Sequence, residues 1–493
     1  MKLLILFLIF VIATQANDVI IIGGGLSGLT TAYRLLQAGL KVTIYEGDKE
    51  IGGRTRSIWY NETVGISVGG TWSMFENIET MELAKELGIM PEIGIGQYKE
   101  LNIQRILKSP ILLLKLWLIG SEISENYQSD QKELDYISVK SWLEQQEKVY
   151  GINAGKAVRD YLILLETMPR DLNISMLFAS RLIYDRLRIV DDHSQFYSYG
   201  TYRWEGGTGV LVNMLGNKIK EMGGQIILNT KVTNIQWAND SIRVGEDKSK
   251  RVVMSISLPA SKNIKYEPKI PIEYSHLFSG IHIFDDPVYQ LILIYAEPWW
   301  EGGIILPDPE TETDGVWGSM FELTPKDGAV GILRILIRSI HIKDLTLEQI
   351  VASGLKYLEK YYHNPKVSNA LLSAQLYNWN DYNNTIPGVT YYYKPDGTLV
   401  KYGQYLRTTI NGKLYWGGAE RAKKGLHWIE GAISRGNEIA LEILREENIS
   451  FIANNDVGYI KKEYVYWTMK IIDIILSGLF KIAGLIFWMT SFA

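Results

Sequence analysis

The stretch Asp18-Val19-Ile20-Ile21-Ile22-Gly23-Gly24-Gly25-Leu26-Ser27-Gly28 changes character midway. Val19 to Ile22 is a continuous β-branched run, the composition of a strand covered on both faces. The glycines that follow have the spacing G-x-G-x-x-G; a helix is expected from them to about Gln37, then a second strand at Val42 to Tyr45. Glu46 ends that strand, 18 residues after Gly28. Each part has a physical task. Gly23 allows the tight turn, Gly25 removes the side chain that would hold a pyrophosphate off the backbone, and Gly28 lets helix and strand pack closely. The helix N-terminus, including Leu26 and Ser27, offers free N–H groups and a partial positive charge to phosphate, while Glu46 accepts ribose hydroxyls and repels a 2′-phosphate. The pattern predicts a βαβ unit that binds a dinucleotide; a purely structural turn is the alternative.

Composition narrows the remaining classes. The 493 residues are 46% hydrophobic, enough for a large core in two or three intertwined domains. Net charge is -4, from 51 basic and 55 acidic residues without single-sign blocks, so no nucleic-acid footprint is expected. The chain has no cysteine, which excludes disulfides, thiolate metal sites, cysteine nucleophiles and a cysteinyl-linked cofactor. His193, His276, His282, His341, His363 and His427 never fall at i, i+4 spacing, and no metal site is expected.

Both ends are apolar. Met1-Lys2, the run Leu3 to Ile12 and small residues to Ala16 have the parts of a cleavable signal peptide, or of an extension packed beside the first strand. Five N-x-S/T triplets, at Asn61, Asn173, Asn239, Asn383 and Asn448, would then be glycan acceptors. In the tail, Ile471 to Ala493, the residues Lys470, Asp473, Ser477 and Lys481 fall on one stripe of a helix. An interfacial membrane helix, a transmembrane helix and a packed surface helix all fit this pattern. A cleaved signal implies the secretory route, endomembrane or cell surface. Lys461, Lys462 and Lys470 instead favour a cytosolic N-terminal flank on an organelle membrane.

Between these ends, helices are expected at Ile78 to Leu87, at Pro110 to Ser124, after Gly206-Gly207-Thr208-Gly209 to about Met222, and from about Trp428 to Arg445. Strands are expected at Ile226 to Thr233, Val252 to Ile256, Tyr289 to Tyr295 and Lys413 to Trp416. Thr346 and Gln349 form a capping box for a helix to about Tyr362.

Gly52-Gly53-Arg54-Thr55, shortly after Glu46, resembles the second FAD motif of the flavin-containing amine oxidases, the monoamine oxidase relatives. Gly69-Gly70-Thr71-Trp72, Gly206-Gly207-Thr208-Gly209, Glu297-Pro298-Trp299-Trp300, Trp416-Gly417-Gly418-Ala419-Glu420 and Ile429-Glu430-Gly431-Ala432 are similar to that family's segments, in its order, over about residues 18–447. The resemblance implies an α/β fold: a Rossmann-like (GR2-type) FAD domain from 17–75, 206–260 and 401–447, and a helical and mixed-sheet substrate domain from 76–205 and 261–400. A tail at 448–493 would carry a membrane-associated helix. It also implies FAD, which without a cysteine in the chain would be non-covalent, held by Gly23, Gly25, Leu26, Ser27, Gly28, Glu46, Gly53, Arg54, Gly70, Thr71, Val232, Glu420 and Ile429. A small-molecule amine and O2 would be the reactants, and the resemblance allows a homodimer.

At the reacting side the sequence departs from the family. Counting back from Glu297, Gln290 stands where the family places a lysine near the flavin, and glutamine supplies no charge. Trp428 matches one of two aromatic residues flanking the flavin; the other position is Thr390, beside Val389 where the covalent cysteine would be, with Tyr391 next to it. The expected function is an FAD-dependent amine oxidase that transfers a hydride to the flavin and reduces O2 to peroxide. A membrane-associated flavin desaturase or isomerase of a lipid-like substrate and a catalytically impaired FAD-binding protein remain as alternatives. An amino-acid oxidase is a further one; it needs an arginine facing the flavin, and sequence alone assigns no position that role.

Overall fold

The computed structural model describes residues 17–449 except 72, 75–76, 90, 94–109, 161, 163–167, 170, 189–200, 238–239, 284–287, 301–303, 306–316, 326–327, 329, 339–341, 343 and 380–390. The leader 1–16 and the tail 450–493 lie outside these residues, as do Asn239, Asn383 and Thr390. Among the described residues no helix is long and apolar enough to cross a membrane. The chain divides into two compact units, residues 1–442 and 443–493; of the second, the described part is the end of a helix and a turn closed by Ile449 N donating to Leu444 O.

The opening segment folds as strand β1 (Asn17–Ile22), helix Leu26–Gln37 and strand β2 (Val42–Tyr45), as expected from its hydrophobic pattern. β1 and β2 pair in parallel, Val19 opposite Val42, and Val19 to Ile22 are buried. β3 (Gln225–Ile227), β4 (Asn234–Trp237), β5 (Ile242–Val244), β6 (Asp247–Met254) and β7 (Lys265–Glu267) complete a path ordered β7-β4-β5-β6-β1-β2-β3, and Leu414–Trp416 pairs with the far end of β6. β6, β1, β2 and β3 are parallel neighbours, so the carboxyl ends of β1 and β2 open on the same edge of the sheet.

β3 is shorter than the β-branched run predicts: the strand expected over Ile226 to Thr233 ends at Ile227. Asn229 takes a φ of 52°, its N–H donates to Asp48 O at 2.9 Å, and Thr230 N donates to Glu46 O at 2.8 Å. Those bonds to the loop after β2 draw the backbone out of the ladder, against the β preference of the sequence.

A second sheet holds β8 (Val288–Tyr295), β9 (Trp317–Glu322), β10 (Gly331–Arg338) and β11 (Leu371–Asn378) in the order β9-β10-β8-β11, with Ile304–Ile305 beyond β9. All these pairs are antiparallel, so the two faces can be read from the register. Leu291, Leu293, Leu333, Ile335 and Ile337 pack with Ile350, Tyr357 and Leu358 of the helix Leu347–Tyr362. That helix begins with the predicted capping box, Thr346 Oγ1 accepting from Gln349 N and Gln349 Oε1 accepting from Thr346 N. The other face, through Ile292, Ile294, Ile332 and Tyr377, packs on Val64, Ile66 and Val68 of the chain that leads to Gly69-Gly70. Helices at Pro110–Ser121, Val139–Tyr150, Ile152–Asp160 and Met176–Arg188 supply the helical part between the segments of the first sheet.

Candidate functional site

The turn after β1 is built as its glycine spacing requires. Gly23 has a φ of 105°, and a Cβ there would stand 2.7 Å from Ser255 O. A Cβ on Gly28 would stand 2.1 Å from Gly23 O, so helix and strand approach at a distance that only glycine permits. At Gly25 the opposite holds, since an added Cβ would meet nothing within 4 Å. Gly25 is also the N-cap of the helix Leu26–Gln37, which has neither a capping side chain nor an acid in its first turn. The first turn of that helix brings its partial positive charge beside the open side of Gly25, an arrangement matched to phosphate. Leu26 and Ser27 are buried in this turn, and Ser27 Oγ accepts from Gly418 N at 3.0 Å, tying it to the segment that carries Glu420.

Glu46 is fixed beside the turn. Its two carboxylate oxygens accept N–H groups from Gly24 at 2.6 Å and Asp48 at 2.9 Å. Burial pushes its carboxyl above the usual range, against those two bonds. Each oxygen keeps a second lone pair for a hydroxyl. Val232, named for the adenine side, is half-buried against the main core cluster.

The second glycine pair closes over the first. Gly52 N donates to Gly24 O at 2.8 Å, and Gly53, with a φ of 56°, would carry its Cβ 3.5 Å from Gly25 Cα. Arg54 forms an ion pair with Glu420, whose side chain is 1% exposed and whose Oε2 is buried without a partner among the described residues. The chain then continues from Arg54 to Gly70, whose N–H donates to Arg54 O at 3.1 Å. A Cβ on Gly69 would lie 1.9 Å from Arg54 O, and one on Gly70 would lie 3.1 Å from Ile429. Gly70 thus meets Ile429 at the start of the helix Ile429–Glu446, with half-buried Trp428 as the residue before it. Glu430 points the other way and caps the helix Ile78–Glu86, accepting from Thr80 N at 2.9 Å, Thr80 Oγ1 at 2.6 Å and Glu79 N at 3.1 Å. Burial pushes this carboxyl up to about 7 despite those bonds.

The second sheet supplies the last wall. Gln290 on β8 is 4% exposed; its Nε2 donates to Val68 O at 2.6 Å, and its Oε1 is buried without a partner among the described residues. Trp379 Nε1 donates to the same carbonyl at 3.1 Å. Arg334 on β10 donates from Nη1 to Ser67 O and to Thr71 Oγ1, each at 2.8 Å. Sequence reasoning missed Arg334. The signal was present, a single charge inside the otherwise apolar run Ile332 to Ile337. Tyr391 lies in the main core cluster, its ring against Phe178 and His427 and its hydroxyl donating to Glu420 O at 3.1 Å. Thr390 falls outside the described residues.

The residues present fit a flavin dinucleotide. A continuous cradle runs from the uncapped helix end at Gly25, past Gly53 and Arg54, to Gly70, Thr71 and Ile429, with orphaned acceptors on Glu420 and Gln290 along it. Comparison with known proteins points the same way. A model of the flavin containing amine oxidoreductases matches residues 26–444. A probable flavin-containing monoamine oxidase A of Dictyostelium discoideum is 25% identical over 460 residues, covering 86% of this chain and 97% of that protein. The flavin-containing amine oxidase B of Mus musculus is 23% identical, over 87% and 86% respectively. Among solved structures, cyclohexylamine oxidase from Brevibacterium oxydans IH-35A superposes with a TM-score of 0.74 at 20% identity, over 88% of this chain and all of that one. Wild-type putrescine oxidase bound to putrescine gives 0.70 at 20% identity, over 87% and 99%. Both likenesses support the α/β fold described above.

Proposed function

The chain belongs to the flavin containing amine oxidoreductase family, and from that premise we propose that it oxidises a small-molecule amine with non-covalently held FAD and O2 as the final acceptor. When bound, FAD supplies the two-electron acceptor for the carbon–hydrogen bond next to nitrogen. The chain's own part is binding, orientation and exclusion of water. Gly25 and the first turn of the helix Leu26–Gln37 would hold the pyrophosphate, Glu46 a ribose, and Arg54 with Glu420 the region between nucleotide and flavin. The start of the helix Ile429–Glu446 directs its positive end toward the neighbourhood of Gly70, where it favours negative charge. Gln290 keeps Oε1 free to accept a proton-bearing group, while the apolar residues around it keep the face dry.

The carrying observation is the open, uncapped N-terminus at Gly25 with Glu46 locked beside it. Non-covalent attachment is supported by the absence of cysteine from the sequence. The test is anaerobic incubation of the FAD-loaded protein with a panel of primary, secondary and polyamines. The proposal expects the oxidised flavin spectrum to bleach and peroxide to form when air is readmitted; a spectrum unchanged by every amine removes it. The stripe Lys470, Asp473, Ser477, Lys481 in an apolar tail supports attachment of the protein to an endomembrane or the cell surface. Recovery in the membrane pellet, released by detergent and not by high salt, is the expected behaviour there. Sedimentation of the detergent-solubilised protein tests the homodimer that the resemblance allows.

A further inference from the structure

Ser57–Trp59 and Gly65–Ser67 pair antiparallel, Trp59 opposite Gly65, and Tyr60 N donates to Val64 O at 2.9 Å to close the turn between them. The exposed tip of this hairpin is Asn61-Glu62-Thr63, a complete N-x-T triplet. Its side chains are already ordered. Asn61 Oδ1 accepts from Thr63 N at 3.0 Å, Thr63 Oγ1 at 3.1 Å and Val64 N at 2.7 Å. Two backbone donors on one atom identify it as the carbonyl oxygen, which leaves Nδ2, the atom to which a sugar is joined, on the other branch of an exposed side chain. The triplet at Asn173 is built differently. Ile174 and Ser175 are fully buried there, and Ser175 Oγ donates to Asp135 Oδ1 at 2.6 Å.

An aromatic face lies two residues before Asn61. Ile58 and Tyr60 pack on the cluster of Val64, Ile66 and Val68, so Trp59 between them takes the outer side of the hairpin. Its indole is 49% exposed. A Cβ on Gly206 would stand 3.3 Å from Trp59 Cη2, so one edge of the ring rests on that loop, and no other ring or cation covers it among the described residues. Two residues of extended chain span about 7 Å, within reach of a sugar joined to Asn61. A pyranose has a face of C–H groups. Laying it on an indole removes apolar surface of both from water and sets C–H against the negative face of the ring. We propose that Asn61 is N-glycosylated and that the innermost sugar of the glycan stacks on Trp59. In the attaching step Nδ2 bonds to the anomeric carbon of an oligosaccharide carried on a lipid pyrophosphate. The carbon–oxygen bond to the pyrophosphate breaks, its electron pair leaves with the lipid pyrophosphate, and Nδ2 gives up one proton. The inference rests on the placement at an endomembrane or the cell surface proposed above, and it puts the hairpin on the lumenal or outer side of that membrane.

The full chain is expressed with its own leader in insect cells, purified in detergent, and mapped by peptide mass after an amide-cleaving glycosidase acts in heavy-oxygen water. The Asn61 peptide should carry the label that marks a released glycan. Urea unfolding is then compared before and after release in wild type, Trp59→Tyr and Trp59→Ala. Release converts Asn61 to aspartate and strips every other triplet equally in the three chains, so the difference between chains isolates the ring. The folding constant should fall about fivefold further in wild type and Trp59→Tyr than in Trp59→Ala. If Trp59→Ala does not fold, the map and an upfield ring-current shift of the innermost sugar's protons in wild type still decide. Asn61 bare in a chain whose leader has been removed overturns the inference alone. Asn61 bare with the leader retained overturns the proposed placement as well. An occupied Asn61 whose release costs all three chains alike overturns the stacking on Trp59.

Discussion

Gly25 and Gly28 stand three residues apart in one turn, and the structure assigns them opposite roles that a pair of alanine substitutions separates. In Gly28→Ala the new methyl group would lie 2.1 Å from Gly23 O and 3.1 Å from both Ile21 Cγ2 and Ser255 Cβ. The nearest of these is backbone, so no rotamer relieves it, and helix and strand must part by about 1.3 Å to reach ordinary contact. The expected cost is about 3 kcal/mol, the upper part of the range for overpacking a tight core. It should be present whether or not FAD is bound. In Gly25→Ala the methyl meets nothing within 4 Å, and the backbone, with φ -75° and ψ 172°, suits alanine. Stability of the FAD-free protein should therefore stay within about 0.5 kcal/mol of wild type. FAD binding should weaken on the order of 100-fold, the loss of one or two charge-assisted bonds from the helix N-terminus. Denaturant unfolding of the stripped protein and FAD fluorescence titration read the two quantities. Gly25→Ala binding FAD within threefold of wild type would show that no phosphate passes that side of the turn.

Three further outcomes follow from the site. Arg54→Met leaves the buried Glu420 carboxylate without its cation; Arg54 is one-third exposed, so about 1–3 kcal/mol of stability is lost in urea unfolding, and Glu420→Gln on the same chain restores most of it. Glu430, with its folded-state pKa raised from 4.5 to about 7, binds a proton more readily folded than unfolded; its contribution is full below about pH 4.5 and is lost as pH rises to 7. Its whole loss is on the order of 3 kcal/mol, and Glu430→Gln should flatten the melting temperature between pH 5 and 7; an unchanged slope would assign the dependence elsewhere. Gln290→Lys preserves a donor for Val68 O and adds a charge, so stopped-flow reoxidation of the reduced flavin by oxygen should accelerate roughly tenfold, equivalent to about 1.4 kcal/mol, and an unchanged rate refutes the role given to the position.

The fold was most legible where local rules act alone. Val19 to Ile22 and Val42 to Tyr45 are apolar runs with no competing preference, and the Thr346–Gln349 capping box needs only its own four residues. The run Ile226 to Thr233 failed because its last residues answer to a distant loop, through Asn229 to Asp48 O and Thr230 to Glu46 O. The same division applies to the site. Gly23, Gly28, Glu46 and Gly52-Gly53 carry their geometry in their spacing, whereas Arg334 is joined to Ser67 and Thr71 across more than 260 residues and two sheets' worth of chain. Nothing local marks such a charge except its place inside an apolar run. Tyr391 shows the converse: a tyrosine near a departed motif position suggests a substrate contact, while its burial among Phe178, Tyr393 and His427 is a matter of tertiary packing.

The proposed chemistry depends on a flavin dinucleotide lying in the cradle that starts at Gly25. Its most direct test is to purify the full chain from detergent extracts, record the visible spectrum, denature it with acid and count what is released. The prediction is a yellow protein that gives up close to one FAD per chain into the supernatant. A colourless protein that also fails to take up added FAD contradicts it.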